Sequence, residues 1–148
     1  MGLVYANITI QNSLDDVLAQ QGDIPKENIR KMDVKSLVDT GAWTLTINEE
    51  IATQLGLKVK DRTDISLANG TISRCDLVGP VDVRFENRFA SCLALVLPGA
   101  DEVLLGAIPL EGMDVMIDPS SHQLVVHPNR PHGAQMKVKC SFSSYAHG

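Results

Sequence analysis

Apolar and polar residues alternate with a period of two in many short stretches of this chain, the pattern of half-buried strands. Val4, Ala6, Ile8 and Ile10 alternate with Tyr5, Asn7, Thr9 and Gln11, which predicts a first strand. Residues 12–30 are polar and contain Gly22 and Pro25, so they read as a loop with a short helical turn after Pro25. The extended pattern resumes at Lys31 and ends in the apolar pair Leu37-Val38. Asp39-Thr40-Gly41-Ala42 reads as a tight turn, and residues 43–47 are β-rich again. Asn48 is a good N-cap, Glu49 and Glu50 suit the positive end of a helix, and Ile51, Ala52 and Leu55 share one face before Gly56.

The second half repeats the strand pattern. Ile65 and Leu67 alternate with Asp64 and Ser66 up to Asn69-Gly70, a hairpin dipeptide whose type I′ form needs positive φ at both residues. A strand returns over 71–78, Gly79-Pro80 breaks the pattern, and Val81, Val83 and Phe85 alternate with Asp82, Arg84 and Glu86. A turn near Glu86-Asn87-Arg88 leads into an apolar strand over 89–97, followed by a loop at 98–101. Val103-Leu104-Leu105 is a buried strand meeting Gly106. Residues 108–113 suit one or two helical turns with Pro109 early, and 115–117 and 124–126 flank a turn at 118–121. Short strands, hairpin signals and one short helix argue an all-β domain closed as a barrel. The pattern dissolves after His127, so 1–127 read as the domain and 128–148 as a tail with room for one strand at 136–140.

Composition narrows the function. The 148 residues suit one domain, and 44% apolar with 21% charged residues excludes a disordered polymer. Aromatics are 4%, so the core is aliphatic. A net charge of −5 without a basic block argues against nucleic acid as partner, and no 18-residue apolar run suggests a membrane span. Residues 1–11 alternate where a leader would be basic and then apolar. Cys75, Cys92 and Cys140 are widely spaced and odd in number, which fits reduced thiols; both features read as cytoplasmic. His122, His127, His132 and His147 lack metal-ligand spacing, so no metal and no other cofactor is expected.

Asp39-Thr40-Gly41 is the sharpest chemical feature. Such a triplet occurs by composition alone in about 3% of chains this long, and Asp and Gly are ordinary turn residues. Its setting is more specific. An apolar strand feeds into it, a β-rich segment and a helix follow, a hairpin closes at Asn69-Gly70, and a second apolar strand ends in Leu104-Leu105-Gly106 before a short helix.

This order resembles the retropepsin-like aspartic proteases. Residues 37–42, the hairpin Leu67-Ala68-Asn69-Gly70-Thr71 and Leu104-Leu105-Gly106 carry the resemblance, and Val115-Met116-Ile117-Asp118 is similar to a strand of the bacterial members. It covers 31–127, extends to 1–11 as a first strand, and is silent on 12–30 and the tail. It implies an acid-protease-like barrel and an aspartic endopeptidase acting on peptides or proteins. Asp39, Thr40 and Gly41 would form the catalytic turn, with Thr40 hydrogen-bonded to its counterpart. Ala42, Ala68, Asn69 and Gly70 would line the substrate, with the hairpin as a flap. Leu104, Leu105 and Gly106 would support the turn.

One carboxylate cannot act as base and acid at once, and the chain carries one such triplet and no repeat. The resemblance therefore implies a homodimer in which two Asp39 carboxylates share one proton at the two-fold axis. The acidic residue that retroviral members place after the motif's alanine is replaced by Trp43-Thr44, and their basic partner after the second glycine by Ala107. That leaves apolar contacts or terminal strands to hold the dimer. Trp43 itself reads as a half-buried core aromatic ahead of a substrate-pocket wall, and Cys75 and Cys92 as core residues. Two rival readings are a catalytically silent module of the same fold for dimerisation or protein binding, and a generic barrel in which the triplet is only a turn.

Overall fold

The structure, a computed structural model, describes residues 2–136. The first alternating segment forms β1 (Tyr5–Asn12), with Ala6, Ile8 and Ile10 buried. β1 pairs antiparallel with β2 (Lys31–Val38), Tyr5 opposite Leu37 and Gln11 opposite Lys31. The polar stretch between them is more ordered than expected. Ser13–Gln20 is a helix, α1, and a single 3-10 turn follows Pro25 at Lys26–Asn28. α1 does not bury an apolar stripe, since Leu14 and Val17 are exposed and its one buried residue is Asp15. It is held by polar contacts instead. Asn12 caps it, its side chain accepting from the Asp15 amide at 3.1 Å while its own amide donates to the Leu55 carbonyl at 2.9 Å. Leu14, Val17 and Leu18 do have helical spacing, but over barely two turns and beside Gly22 and Pro25, which favour the loop reading.

β3 (Leu45–Ile47) leads into α2 (Glu49–Gln54), capped by the Asn48 side chain as its sequence predicts. β4 (Lys58–Ser66) and β5 (Ile72–Phe85) form a long hairpin. Its turn is not type I′. Gly70 alone in it takes a positive φ, 85°, while the Gly70 amide bonds the Leu67 carbonyl at 2.9 Å and the Leu67 amide bonds the Thr71 carbonyl at 2.8 Å. This is a three-residue turn with glycine in the left-handed position. Asn69 uses its side chain to accept from the Thr71 amide at 3.0 Å, an Asx interaction that needs no left-handed backbone at Asn69.

Gly79-Pro80 does not end a strand either. β5 runs through it with a shift in register between Val78 and Val81 against β6 (Arg88–Val96), so one strand bends and serves two parts of the sheet. Its outer half pairs with β4, and its inner half pairs with β1, Ile10 lying opposite Val83. That second pairing closes a barrel in the order β1-β2-β7-β3-β6-β5, with β7 being Val103–Leu105. The expected all-β barrel is therefore present, with the β4 edge outside it. Ile8, Ile10, Leu45, Ile47, Val81, Val83, Ala94 and Leu105 fill the interior, each 2% exposed or less.

α3 (Ala107–Met113) buries Leu110 and Met113, and β8 (Val115–Asp118) with β9 (Gln123–Val126) forms a separate ribbon. Residues 128–136 then fold back. Arg130 grips the Asp114 carboxylate with two bonds of 2.6 and 2.9 Å, and the Asn87 side chain donates to the Pro131 carbonyl at 2.9 Å. Arg88, 1% exposed, donates to the Arg130 carbonyl. The strand expected at 136–140 lies outside the described residues apart from Met136. Among the described residues no helix is long and apolar enough to cross a membrane.

Candidate active site

β7 lies between β2 and β3, parallel to the first (Leu37 opposite Leu104) and antiparallel to the second (Thr46 opposite Leu104). The loop joining β2 to β3, residues 39–44, must therefore cross the end of β7. Backbone bonds fasten the crossing. The Asp39 amide donates to the Leu105 carbonyl at 3.0 Å, the Ala107 amide to the Ala42 carbonyl at 2.9 Å, and the Ile108 amide to the Trp43 carbonyl at 3.1 Å. The contact is so close that a Cβ on Gly106 would lie 2.4 Å from the Thr44 carbonyl oxygen and 2.7 Å from that of Ala42. Gly106 is glycine because another backbone occupies the space. Thr44 is pinned on its other side, its hydroxyl donating to the Leu93 carbonyl at 2.7 Å.

The carboxylate is set by this frame. Asp39 closes the turn through its carbonyl, which accepts from the Ala42 amide at 3.1 Å, and its Oδ1 accepts from the Gly41 amide at 2.9 Å. A Cβ on Gly41 would meet that oxygen at 3.3 Å. Among the described residues no other group donates to this carboxylate, and no cation pairs with it. Asp39 is half-buried, with Thr40 and Gly41 exposed beside it.

Asp39, Gly41 and Ala42 form one wall of a cleft of about 760 Å³. Residues 63–68 of the β4–β5 hairpin form the opposite wall, including Ala68, and Leu95, Leu97 and Leu104 lie between. The expected site residues thus divide into groups. Asp39, Gly41, Ala42, Ala68 and Leu104 share the cleft. Leu105 is fully buried beneath it and Gly106 braces the loop. Asn69 and Gly70, at the hairpin tip, do not line it, because the wide turn places them past Ala68. Thr40 turns away from the cleft and lines a second hollow, of about 390 Å³, with Val38, Ala107, Leu110 and Met116.

Trp43 is the residue the pattern misplaced. It is 55% exposed and lines the cleft. Its β-rich surroundings suggested a core position, but β3 starts only at Leu45, and the pinned loop holds residue 43 at the rim. Beneath the loop, burial pushes the Cys92 thiol pKa up, partly opposed by its hydrogen bond with Thr44. Such a thiol is a core group and not a nucleophile.

A barrel whose β2–β3 loop carries Asp-Thr-Gly, closed over a second apolar strand ending in glycine, defines an aspartyl-protease-like domain. Residues 27–111 match the family described as "gag-polyprotein putative aspartyl protease", and the chain belongs to that family. Among solved structures, the retroviral protease-like domain of Ddi1 from Leishmania major is similar in fold, with 19% sequence identity and a TM-score of 0.53. The similarity covers 86% of this chain and 90% of that domain. No curated protein matches the chain.

Proposed function

We propose that this protein is an aspartic endopeptidase active as a homodimer, hydrolysing peptide bonds with a water activated between two Asp39 carboxylates. The observation that carries the reading is the state of Asp39: a carboxylate fixed by its own turn, without a cation among the described residues, at the edge of a peptide-sized cleft. Hydrolysis without a metal or a covalent nucleophile needs one ionised carboxylate to take a proton from water and one protonated carboxylate to donate towards the substrate. Carboxylates about 3 Å apart divide these roles because both cannot ionise together. The pair titrates as a unit, so no single pKa belongs to either member.

Each subunit supplies one such turn, which makes the second subunit a chemical requirement. The surface beside the turn supports an isologous contact. Leu3 is 69% exposed and borders Asp39, while Met116 and Thr40 share the adjoining hollow. These apolar groups stand in for the ion pair that Trp43-Thr44 and Ala107 cannot form. The exposure of Thr40, away from the cleft, supports a contact with its own copy. The substrate is an extended peptide or protein segment, gripped between the 39–44 loop and the β4–β5 hairpin. Buried free thiols at Cys75 and Cys92 support a reducing, cytoplasmic setting.

The test is activity against protein concentration. Cleavage of a fluorogenic peptide per mole of chain falls on dilution through the dimer dissociation range, and Asp39→Asn chains mixed with wild type poison activity by forming mixed dimers. Constant specific activity from a monomer verified by sedimentation would overturn the shared site.

A further inference from the structure

We propose that Trp43 is the specificity-determining wall of this cleft, holding a large apolar or aromatic side chain of the bound peptide beside the Asp39 turn; the proposal rests on the proteolytic reading and names its substrate class. Trp43 is the single tryptophan of the chain and carries the largest side chain on the cleft, yet more than half of it faces solvent. Its position is not slack. The Trp43 carbonyl is bonded to the Ile108 amide at 3.1 Å, the Ala42 carbonyl before it to the Ala107 amide at 2.9 Å, and the Thr44 hydroxyl after it to the Leu93 carbonyl at 2.7 Å. An indole on so fixed a backbone loses little further freedom when a ligand covers it. Tryptophan also offers more apolar contact area than any other side chain, which is why it dominates binding hot spots.

The rest of the cleft agrees. Ile65 and Leu67 face it from the hairpin, and Leu95 and Leu104 from the barrel end. The ionisable groups lining it among the described residues are both acidic, Asp39 and Asp64, and the latter is exposed with Arg74 at 3.6 Å. An acidic substrate side chain beside Asp39 would meet like charge, and among the described residues no cation pairs with that carboxylate. A large apolar one would cover the indole and displace water from it.

Three fluorogenic octapeptides, identical except for Phe, Ala or Asp beside the scissile bond, provide the test. Wild type cuts them in the order Phe, Ala, Asp. Trp43→Ala loses about tenfold or more in kcat/KM on the Phe peptide, mostly through KM, and less than about threefold on the Ala peptide. Trp43→Phe restores most of the loss. Equal losses on both peptides, or a shift of Trp43→Ala to monomer in sedimentation, would overturn the proposal in favour of a structural or interface role. A second measurement separates this from the proteolytic reading. The uncleaving Asp39→Asn chain is titrated with the same peptides while its one indole is followed by emission. Saturable change with the Phe peptide and not the Ala peptide is expected, and a flat trace with both overturns the wall. Saturation with the Phe peptide alongside a wild type that cuts nothing would sink the proteolysis and leave the wall standing.

Discussion

An aspartate stands beside each end of β2, Asp15 of α1 against Arg30 at its start and Asp39 just past its end, and the two are used in opposite ways. At the start, Asp15 is 5% exposed, and both its oxygens are engaged by Arg30: Nε at 2.8 Å, Nη2 at 2.9 Å and the backbone amide at 3.0 Å. These bonds hold its pKa below the usual carboxylate range against the opposing effect of burial. At the far end, Asp39 has one backbone amide on one oxygen and solvent beside it. A carboxylate gripped by a guanidinium is locked in its ionised form and ties α1 to the barrel. One without a cation among the described residues, at a cleft edge, keeps an oxygen free for water, as the proposed hydrolysis requires. Asp114 repeats the first pattern, its carboxyl held well below the ordinary range chiefly by Arg130 while it clasps the returning 128–136 segment.

Exchanging single atoms at these two ends sharpens the contrast. Asp39→Asn should lower peptidase activity by at least about 10²-fold while the thermal midpoint stays within a degree or two, read by peptide cleavage and calorimetry. Strong loss of stability in that variant would make Asp39 a structural group like Asp15. Gly106→Ala should follow, because its methyl group meets backbone and not a yielding side chain. It should cost about 3 kcal/mol in denaturant unfolding, with activity lost along with the loop geometry. Asp15→Asn should behave inversely to Asp39→Asn. Removing the charge from a pair whose arginine is half exposed should cost about 1–2 kcal/mol, with cleavage per folded dimer unchanged.

The smallest effect concerns pH. The folded-state pKa of Asp15 lies below its unfolded value, so its contribution is complete above about pH 4 and drains away as pH falls through the folded value. The stability gap between wild type and Asp15→Asn should be constant from pH 7 to about 5 and narrow below about 4. A gap that instead widens in acid would mean that the wild-type carboxyl is not held ionised by Arg30.

The legible parts of the chain were those where one residue's chemistry faces one environment. Alternation marked β1, β2 and the inner half of β5, since each has one face in the barrel core. Asn48 announced α2 because a cap acts on amides two or three residues away. Asp39-Thr40-Gly41 and Leu104-Leu105-Gly106 showed as two punctuated apolar strands. α1 was missed because its apolar residues Leu14, Val17 and Leu18 span barely two turns and what it buries is a charge. The hairpin turn was misjudged because the Asn69 side chain, and not its backbone φ, completes the turn.

By itself the sequence determined the strands, the barrel class and the identity of the lone acidic turn, since these follow from local periodicity and from residue chemistry at fixed spacing. Only the tertiary structure decided that β7 enters between β2 and β3, that Gly106 must yield its side-chain space to the Thr44 and Ala42 carbonyls, and that Trp43 stands at the cleft and not in the core. Those facts depend on pairings between residues some sixty positions apart, and which distant strands pair is settled by the packing of the whole barrel.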